Sequence, residues 1–207
     1  AAITGAQLDE WMAAKVFGIL GAYCKTYGEI DDRDYAAMNP EQEFIDCING
    51  SRTFEQRGKI DGLAVLKDGR KVCWERKTTA DDLSETSDYW QRLKFNHQLL
   101  AYSTWIYNTT GELPVCVYDV IRKPLLKPLA NVAELDADGL PIVLDANGNR
   151  CIKRDGTPKK TADSAKGEKL AGHPETPAEY GARILEAMSA ESEKYFQRPE
   201  VAITIDM

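Results

Sequence analysis

Residues 58–79 of the chain, GKIDGLAVLKDGRKVCWERKTT, decide its fold. Two β-rich runs flank the Asp68-Gly69 pair, and an Asp-Gly pair in that setting is a strong signal for a tight β-hairpin. The stretch therefore predicts two short strands joined by a turn. Such a hairpin brings three reactive side chains to one end of a sheet, namely Asp61, Glu75 and Lys77. This end of the hairpin is a candidate metal site.

These side chains suit the hydrolysis of a phosphodiester. That reaction needs a hydroxide near neutral pH and neutralisation of charge on the phosphate, and a hard divalent cation supplies both. Asp61 and Glu75 are suitable oxygen ligands for Mg²⁺, and the backbone carbonyl of Arg76 is a third. Lys77 shares a strand face with Glu75, so its ammonium can orient or deprotonate the attacking water. Taken alone, the same pattern also fits an ordinary solvated strand edge.

The residues before the hairpin predict a helix and a strand. Apolar side chains recur at three- and four-residue intervals over 7–27, which is typical of a packing helix. An acidic, turn-like link over 29–34 is predicted to lead to a strand at 41–48, which begins an antiparallel meander. Glu41 or Glu43 of that strand can lend the site a further carboxylate, although solvated glutamates are common on strands.

The residues after the hairpin predict a crossover to a buried strand. A helix is expected over 89–107, apolar nearly all round, with Gln98 and Tyr102 as neighbours on one of its surfaces. The nearly continuous β-rich run 114–121 suits a central strand packed between helices. The order β-β-β-α-β predicts a mixed sheet.

The composition changes from residue 124 onward. Turn-forming pairs and prolines are frequent over 124–174, which predicts an arm of small hairpins or a flexible insertion. Its part from 150 to 169 carries seven basic and three acidic side chains, a net of +4 in a chain of −7. A capping box at 176–179 predicts a helix that runs to Pro199, and 201–205 predicts an edge strand.

Three motifs in this order resemble the PD-(D/E)XK nuclease superfamily, and within it the RecB-like and phage exonuclease branch. They are Gly58-Lys59-Ile60-Asp61-Gly62, Glu75-Arg76-Lys77-Thr78 and Gln98-x-x-x-Tyr102. The resemblance covers residues 41–122. The stretches 118–124 and 195–198 also resemble sequences of phage-encoded members of the family.

The resemblance implies an α/β fold with a restriction-endonuclease-like αβββαβ core, whose mixed central sheet is flanked by helices. On this interpretation residues 1–207 form a single nuclease domain. Its core covers about 7–123 and 175–207, and the basic, turn-rich insertion covers about 124–174.

The resemblance also implies a Mg²⁺- or Mn²⁺-dependent deoxyribonuclease, a phage or prophage exonuclease that acts in DNA recombination, repair or processing. It implies a metal site at Asp61 and Glu75, with Lys77 as the catalytic lysine. Gln98 and Tyr102 would face that site and help to hold DNA. Without the resemblance, Tyr102 is interpreted as a core tyrosine and Gln98 as a helix-surface amide.

Two features depart from the family pattern. RecB-like nucleases often place a histidine or glutamate before the first strand, but the only histidines here are His97 and His173, so this ligand is unassigned. Some relatives carry an iron–sulfur cluster on grouped cysteines. The five cysteines of this chain are scattered and never form a CxxC pair, so reduced thiols and no iron–sulfur cluster are expected.

The net charge of −7 argues against a protein that coats nucleic acid throughout, but it allows a local basic track. Such tracks combine cations with aromatic platforms. The candidate cations of the track are Arg52, Arg57, Lys94, Arg122 and Lys123, and the candidate aromatic platforms are Trp90 and Phe95.

Two other functions remain compatible with the sequence. One is a non-catalytic DNA-binding accessory module for recombination on the same fold, with or without a recombination partner protein. The other is a structural α/β domain with no nucleic-acid partner. The sequence has no long apolar run and no secretory leader, which predicts no membrane partner and a cytoplasmic location, in the host cytoplasm if the chain is phage-encoded.

Overall fold

The structure is a computed structural model that describes residues 9–47, 53–93 and 97–203. The elements in chain order are α1 (Glu10–Asp34), β1 (Tyr35–Cys47), β2 (Glu55–Leu66), β3 (Lys71–Thr79), α2 (Asp88–Leu93), α3 (His97–Thr110), β4 (Val115–Arg122), β5 (Val132–Ala133), β6 (Val143–Leu144), β7 (Lys169–Leu170), β8 (Gly172–His173), α4 (Pro177–Ala190), α5 (Ser192–Tyr195), β9 (Phe196–Gln197) and β10 (Glu200–Val201).

The main sheet mixes antiparallel and parallel strands. Its order is β1-β2-β3-β4-β10, and β9 also pairs with β4. Strands β1, β2 and β3 form an antiparallel meander, whereas β3 and β4 are parallel. Helices α2 and α3 lie in the crossover between the two parallel strands. The predicted α/β class, the mixed sheet and the interior position of β4 are therefore confirmed.

The β2–β3 hairpin that decides the fold is also confirmed. The Leu66 amide donates to the Arg70 carbonyl and the Gly69 amide donates to the Leu66 carbonyl, each at 2.9 Å. Gly69 has a φ of +92°, a backbone conformation that glycine adopts without steric penalty. The hydrogen-bonded pairs run from Val65–Lys71 to Gly62–Trp74.

The side chains of β3 alternate between two buried clusters. Cys73 packs with Leu99 and Ile106 of α3 on one face. Trp74 packs with Val117 of β4 on the other face. Because alternate residues of a strand share a face, this alternation directs the residues at the end of β3 to two different environments.

Helix α1 extends further than the sequence predicts. The link expected over 29–34 is helical, so that prediction is wrong. The acidic side chains there do not break the helix because Asp31 pairs with Arg198, at 2.5 Å, and Asp34 pairs with Arg33.

The predicted helices at 89–107 and 176–199 are shorter pieces in the structure. The first appears as α2 and α3, with residues 94–96 outside the described part of the chain. The second ends at Ala190 and is followed by α5 and β9, so its predicted extension to Pro199 is wrong. The last strand is β10, and residues 204 and 205 of its predicted range lie outside the described residues.

The chain divides into two compact units. One unit contains residues 18–125 and 184–207 and includes the main sheet. The other contains residues up to 17 together with 126–183. The second unit holds the predicted arm of small hairpins, which is confirmed by three short antiparallel bridges, Leu135–Pro141, Leu144–Arg150 and Ile152–Pro158, each closed by a tight turn. Strand pairs β5–β8 and β6–β7 join more distant parts of the same unit.

The predicted capping box also lies in this second unit and is confirmed. The Glu179 amide donates to Thr176 Oγ1 at 3.3 Å, and the Thr176 amide donates to Glu179 Oε2 at 2.8 Å. Across the described residues, no helix combines the length and apolar character needed to cross a membrane.

Candidate metal and catalytic site

Strands β2 and β3 position the two carboxylates of the candidate site. Their hydrogen-bonded pairing ends at Gly62 and Trp74, and Asp61 and Glu75 are the next residues on the two strands. Asp61 Oδ2 accepts a hydrogen bond from the backbone amide of Arg76 at 2.8 Å. The Asp61 carboxylate is therefore fixed to the backbone between Glu75 and Lys77.

Glu75 is a buried carboxylate with an incomplete set of partners. The residue is 2% exposed, and its Oε1 accepts a hydrogen bond from Lys77 Nζ. Its Oε2 is buried and has no hydrogen-bond partner within the described residues. A buried carboxylate oxygen without a hydrogen-bond partner is energetically unfavourable. Binding of a cation or a hydrogen-bond donor to Glu75 Oε2 would remove this cost.

The carboxylate of Asp61 is close enough to Glu75 for its charge to affect the pKa of Glu75. Burial raises the pKa of Glu75, the hydrogen bond and charge of Lys77 lower it, and the negative charge of Asp61 raises it. Two interacting carboxylates in a partly buried position create a negative potential that a cation relieves.

Lys77 connects the end of β3 to helix α3. Its Nζ contacts Glu75 Oε1 and donates a hydrogen bond to Gln98 Oε1 at 2.8 Å. Since both partners hold the ammonium, it stays next to the buried carboxylate. The structure thus brings together Glu75, Lys77 and Gln98, which the sequence predicts as site residues.

Tyr102 supports the same region from the core. The residue is 6% exposed, and its ring packs edge-on against Phe44. Its hydroxyl donates to the Lys59 carbonyl at 3.0 Å and accepts from Gln98 Nε2 at 3.5 Å. Burial raises the pKa of Tyr102, with smaller contributions from the charges of Glu75 and Asp61. Tyr102 is therefore a core tyrosine whose hydroxyl lies beside the site.

Arg76 sends its side chain to the opposite face of the sheet. Its Nε lies 3.6 Å from Asp119 Oδ2 of β4, while its backbone amide holds Asp61. The sequence-based assignment of the Arg76 carbonyl as a metal ligand stays a prediction.

The upstream ligand remains unassigned. Glu41 adopts a φ of +58° and its carboxylate pairs with Lys59 Nζ at 2.9 Å, while Glu43 lies opposite Lys59 in the β1–β2 register. Within the described ranges, no group of three or more His, Cys, Asp or Glu side chains is arranged to hold a metal ion.

The donor set at the end of the hairpin nevertheless fits a hard divalent cation. It consists of two carboxylates, Asp61 and Glu75, and among the residues that the structure describes nothing donates to the buried Oε2 of Glu75. Mg²⁺ is usually held in proteins by one or two carboxylates and keeps several waters, so a cage of protein ligands is not required.

The predicted basic track is partly neutralised where the structure describes it. Arg57 pairs with Glu55 at 3.0 Å, and Arg122 pairs with Asp82 at 3.1 Å. Other members of the track and its platforms, Arg52, Lys94 and Phe95, lie outside the described residues. Trp90 is half-buried and donates its indole N–H to the Leu83 carbonyl at 3.2 Å.

Sequence reasoning missed a buried polar network on the opposite face of the sheet. Asp119 is 1% exposed; its Oδ1 accepts from Arg198 Nε at 3.1 Å and its Oδ2 accepts from the Tyr23 hydroxyl at 2.5 Å. The guanidinium of Arg198 also lies 3.6 Å from the ring centre of Tyr27. The available signal was an aspartate inside an otherwise apolar central strand, because such a buried charge requires a partner.

No protein-family model and no curated protein matches this sequence.

Proposed function

We propose that this chain is a metal-dependent DNA nuclease with a restriction-endonuclease-like core, related to the RecB-like and phage exonuclease branch of the PD-(D/E)XK superfamily. The observation that carries the proposal is the buried Oε2 of Glu75, which has no hydrogen-bond partner within the described residues. Glu75 and Asp61 are the residues that directly follow the last β2–β3 pair, Gly62–Trp74, on the two strands. The proposed setting is recombination, repair or processing of phage or prophage DNA.

In this proposal Asp61 and Glu75 hold Mg²⁺ or Mn²⁺. When bound, the cation activates water and neutralises charge on the scissile phosphate. The Arg76 amide fixes the orientation of the Asp61 carboxylate, since it donates to Oδ2 at 2.8 Å. Arg76 lies between Glu75 and Lys77 on β3. A shift of β3 would therefore move Glu75, Lys77 and the amide that holds Asp61 together.

Lys77 is proposed to orient the attacking water and to offset charge that develops on the phosphate. Its ammonium contacts Glu75 and donates to Gln98 at 2.8 Å, so two groups hold it in place. Gln98 thus positions Lys77, and its exposed amide is the proposed contact to DNA. Tyr102 is proposed to brace β2, because its hydroxyl binds the carbonyl of Lys59, two residues before Asp61.

A second candidate is a non-catalytic DNA-binding accessory module on the same fold. One observation favours it: within the described residues, no third acidic side chain joins Asp61 and Glu75. This candidate predicts DNA binding without metal-dependent cleavage.

Digestion of linear and circular DNA with Mg²⁺, with Mn²⁺ and with chelator separates the two candidates. The nuclease proposal predicts cleavage that requires the metal and that falls by at least about 100-fold in Asp61→Asn and Lys77→Met, because each removes a group that acts on the reacting atoms. Lys71→Met is the matched control, since it changes a lysine at the other end of the same strand. Cleavage of linear but not circular DNA identifies an exonuclease. DNA binding by the unaltered chain without metal-dependent cleavage would overturn the proposal.

A further inference from the structure

Three successive turns in the hairpin-rich unit share one backbone geometry. The amide of the fourth residue donates to the carbonyl of the first at 3.0, 3.1 and 3.0 Å in the turns 136–139, 145–148 and 153–156. Each turn ends on a glycine with a positive φ. The three turns therefore provide the same scaffold with different side chains.

The third turn differs from the others in charge. The first two begin with Asp136 and Asp145, whose carboxylates each accept a backbone amide two residues further on in the same turn. The third begins with Lys153 and Arg154, and both side chains are exposed. Its acidic residue, Asp155, accepts hydrogen bonds from the amide and hydroxyl of Thr157. The third turn thus presents two cations to solvent at a position where its neighbours place a carboxylate.

The basic residues of this segment fall into a paired and an unpaired group. Three pair with acids of the same unit, through the contacts Arg150–Asp136, Lys159–Glu168 and Lys166–Asp163. Four are exposed and form no ion pair in the part of the chain that the structure describes, namely Lys153, Arg154, Lys160 and Lys169. Four of the seven basic side chains of residues 150–169 are therefore available to a partner, against one acid of that segment, Asp155, that is in no ion pair of the described residues.

The strand register gathers part of this charge on one face. Leu144 lies opposite both Lys169 and Arg150, so these three residues point to the same side. Ile152 follows Arg150 by two residues on that face and is 61% exposed. Val143, on the other face, is fully buried. We call residues 150–160 together with Lys169 the basic hairpin.

We propose that the basic hairpin binds the phosphate backbone of a nucleic acid. Once the ion pairs of Arg150 and Lys159 are set aside, the basic hairpin keeps four cations against one acid, Asp155. This local excess of positive charge, in a chain of net charge −7, favours a polyanion as the partner. Phosphate contacts by Lys and Arg release condensed counterions, which drives binding without sequence recognition. The choice of a nucleic acid as the polyanion, rather than an acidic polypeptide, rests on the proposed function.

The test uses the full chain with the paired substitutions Lys153→Gln and Arg154→Gln. Binding to labelled single-stranded and duplex oligonucleotides is followed by fluorescence anisotropy in chelator, over a range of salt concentrations. The matched control is Lys25→Gln with Lys127→Gln, which removes the same charge from two other exposed lysines. Circular dichroism and thermal unfolding check that both variants fold.

Two lost phosphate contacts are expected to reduce the slope of log affinity against log salt by about 1.8, and to weaken binding by up to about 60-fold at 0.1 M salt. The control variant should bind within about threefold of the unaltered chain. The proposal is overturned if the hairpin variant binds like the control, if the unaltered chain binds no nucleic acid, or if the hairpin substitutions weaken binding to polyglutamate but not to DNA.

A separate cleavage assay in Mg²⁺ and Mn²⁺ distinguishes failure of this proposal from failure of the nuclease proposal. Metal-dependent cleavage together with unchanged binding by the hairpin variant overturns only the basic hairpin. Weakened binding by the variant in a chain that never cleaves supports the hairpin and overturns only the nuclease.

Discussion

Glu75 and Asp119 are two buried carboxylates on the neighbouring strands β3 and β4, and they differ in how many of their oxygens accept a hydrogen bond. Asp119 is 1% exposed, and each of its oxygens accepts a hydrogen bond, from Arg198 and from Tyr23. Glu75 is 2% exposed, but one of its oxygens has no partner within the described residues. The two side chains lie on opposite faces of the sheet.

The difference separates a structural carboxylate from a candidate functional one. A buried charge with all its hydrogen bonds made is stable as it stands, so Asp119 serves the fold. A buried carboxylate with an orphaned oxygen is unfavourable in the free protein and becomes favourable when a cation or a donor arrives.

The largest expected effect is on stability at Asp119. Asp119→Ala leaves Arg198 and Tyr23 without their shared partner in the interior, so the free energy of unfolding should fall by about 3–5 kcal/mol. Urea denaturation monitored by circular dichroism measures the change. Asp68→Ala, at an exposed turn, is the control and should change stability by less than about 1 kcal/mol. A loss at Asp119 no larger than that of the control would remove the contrast.

Glu75→Gln should act in the opposite direction in metal-free buffer. Burial raises the pKa of Glu75, so the folded state disfavours the ionised form. This destabilisation is absent below the ordinary glutamate pKa of 4.5 and is fully present above the raised pKa of the folded state. The amide carries no charge, so we expect the variant to equal the unaltered chain at low pH.

Above that window the Glu75→Gln variant should be more stable than the unaltered chain, because the amide has no charge whose burial is unfavourable. Urea denaturation over a pH series measures the difference between the two proteins, which cancels the titration of all other groups. The opposite result would be a stability difference between variant and unaltered chain that turns against the variant as the pH rises from low to neutral. It would show that Lys77 already compensates for the burial of the Glu75 charge.

Gln98→Ala should affect turnover more than substrate binding. Gln98 holds Lys77 at 2.8 Å, and its loss lets the ammonium leave its position. We expect kcat to fall about tenfold, which corresponds to about 1.4 kcal/mol of activation free energy, with KM changed less. Gln98→Glu, which keeps an oxygen for Lys77, should restore part of kcat. A rise in KM alone would assign Gln98 to DNA contact rather than to positioning.

The smallest expected effect is that of Tyr102→Phe. It removes one hydrogen bond, from the Tyr102 hydroxyl to the Lys59 carbonyl at 3.0 Å, and keeps the ring against Phe44. The free energy of unfolding should fall by about 1 kcal/mol. Tyr195→Phe, which removes the hydroxyl of a different tyrosine, is the control. A loss of DNA affinity at unchanged stability would instead support direct contact of Tyr102 with DNA.

The parts of the fold that local sequence determines could be predicted. The hairpin followed from Asp68-Gly69, and the helix start at 176 followed from its capping box, because in both cases the partners lie within a few residues. The end of α1 could not, since Asp31 is held by Arg198, which is 167 positions away in the chain.

The candidate site follows the same division. Strand alternation predicted that Glu75 and Lys77 share a face, because the alternation of side chains along a strand is a local property. Two facts required tertiary packing and were not predicted: Gln98 accepts a hydrogen bond from Lys77, and one oxygen of Glu75 stays unpartnered. The partners of Asp119 also required the whole fold.

Isothermal titration calorimetry with Mn²⁺ tests most directly whether the incompletely satisfied carboxylate marks a metal site. The unaltered chain should bind Mn²⁺ with a measurable heat, and Asp61→Asn and Glu75→Gln should each lower the affinity more than tenfold, since each removes a charged oxygen ligand. Asp68→Asn, at the exposed turn of the same hairpin, should bind like the unaltered chain. Absence of binding to the unaltered chain, or equal affinity in all four proteins, would contradict the assignment of Asp61 and Glu75 as metal ligands.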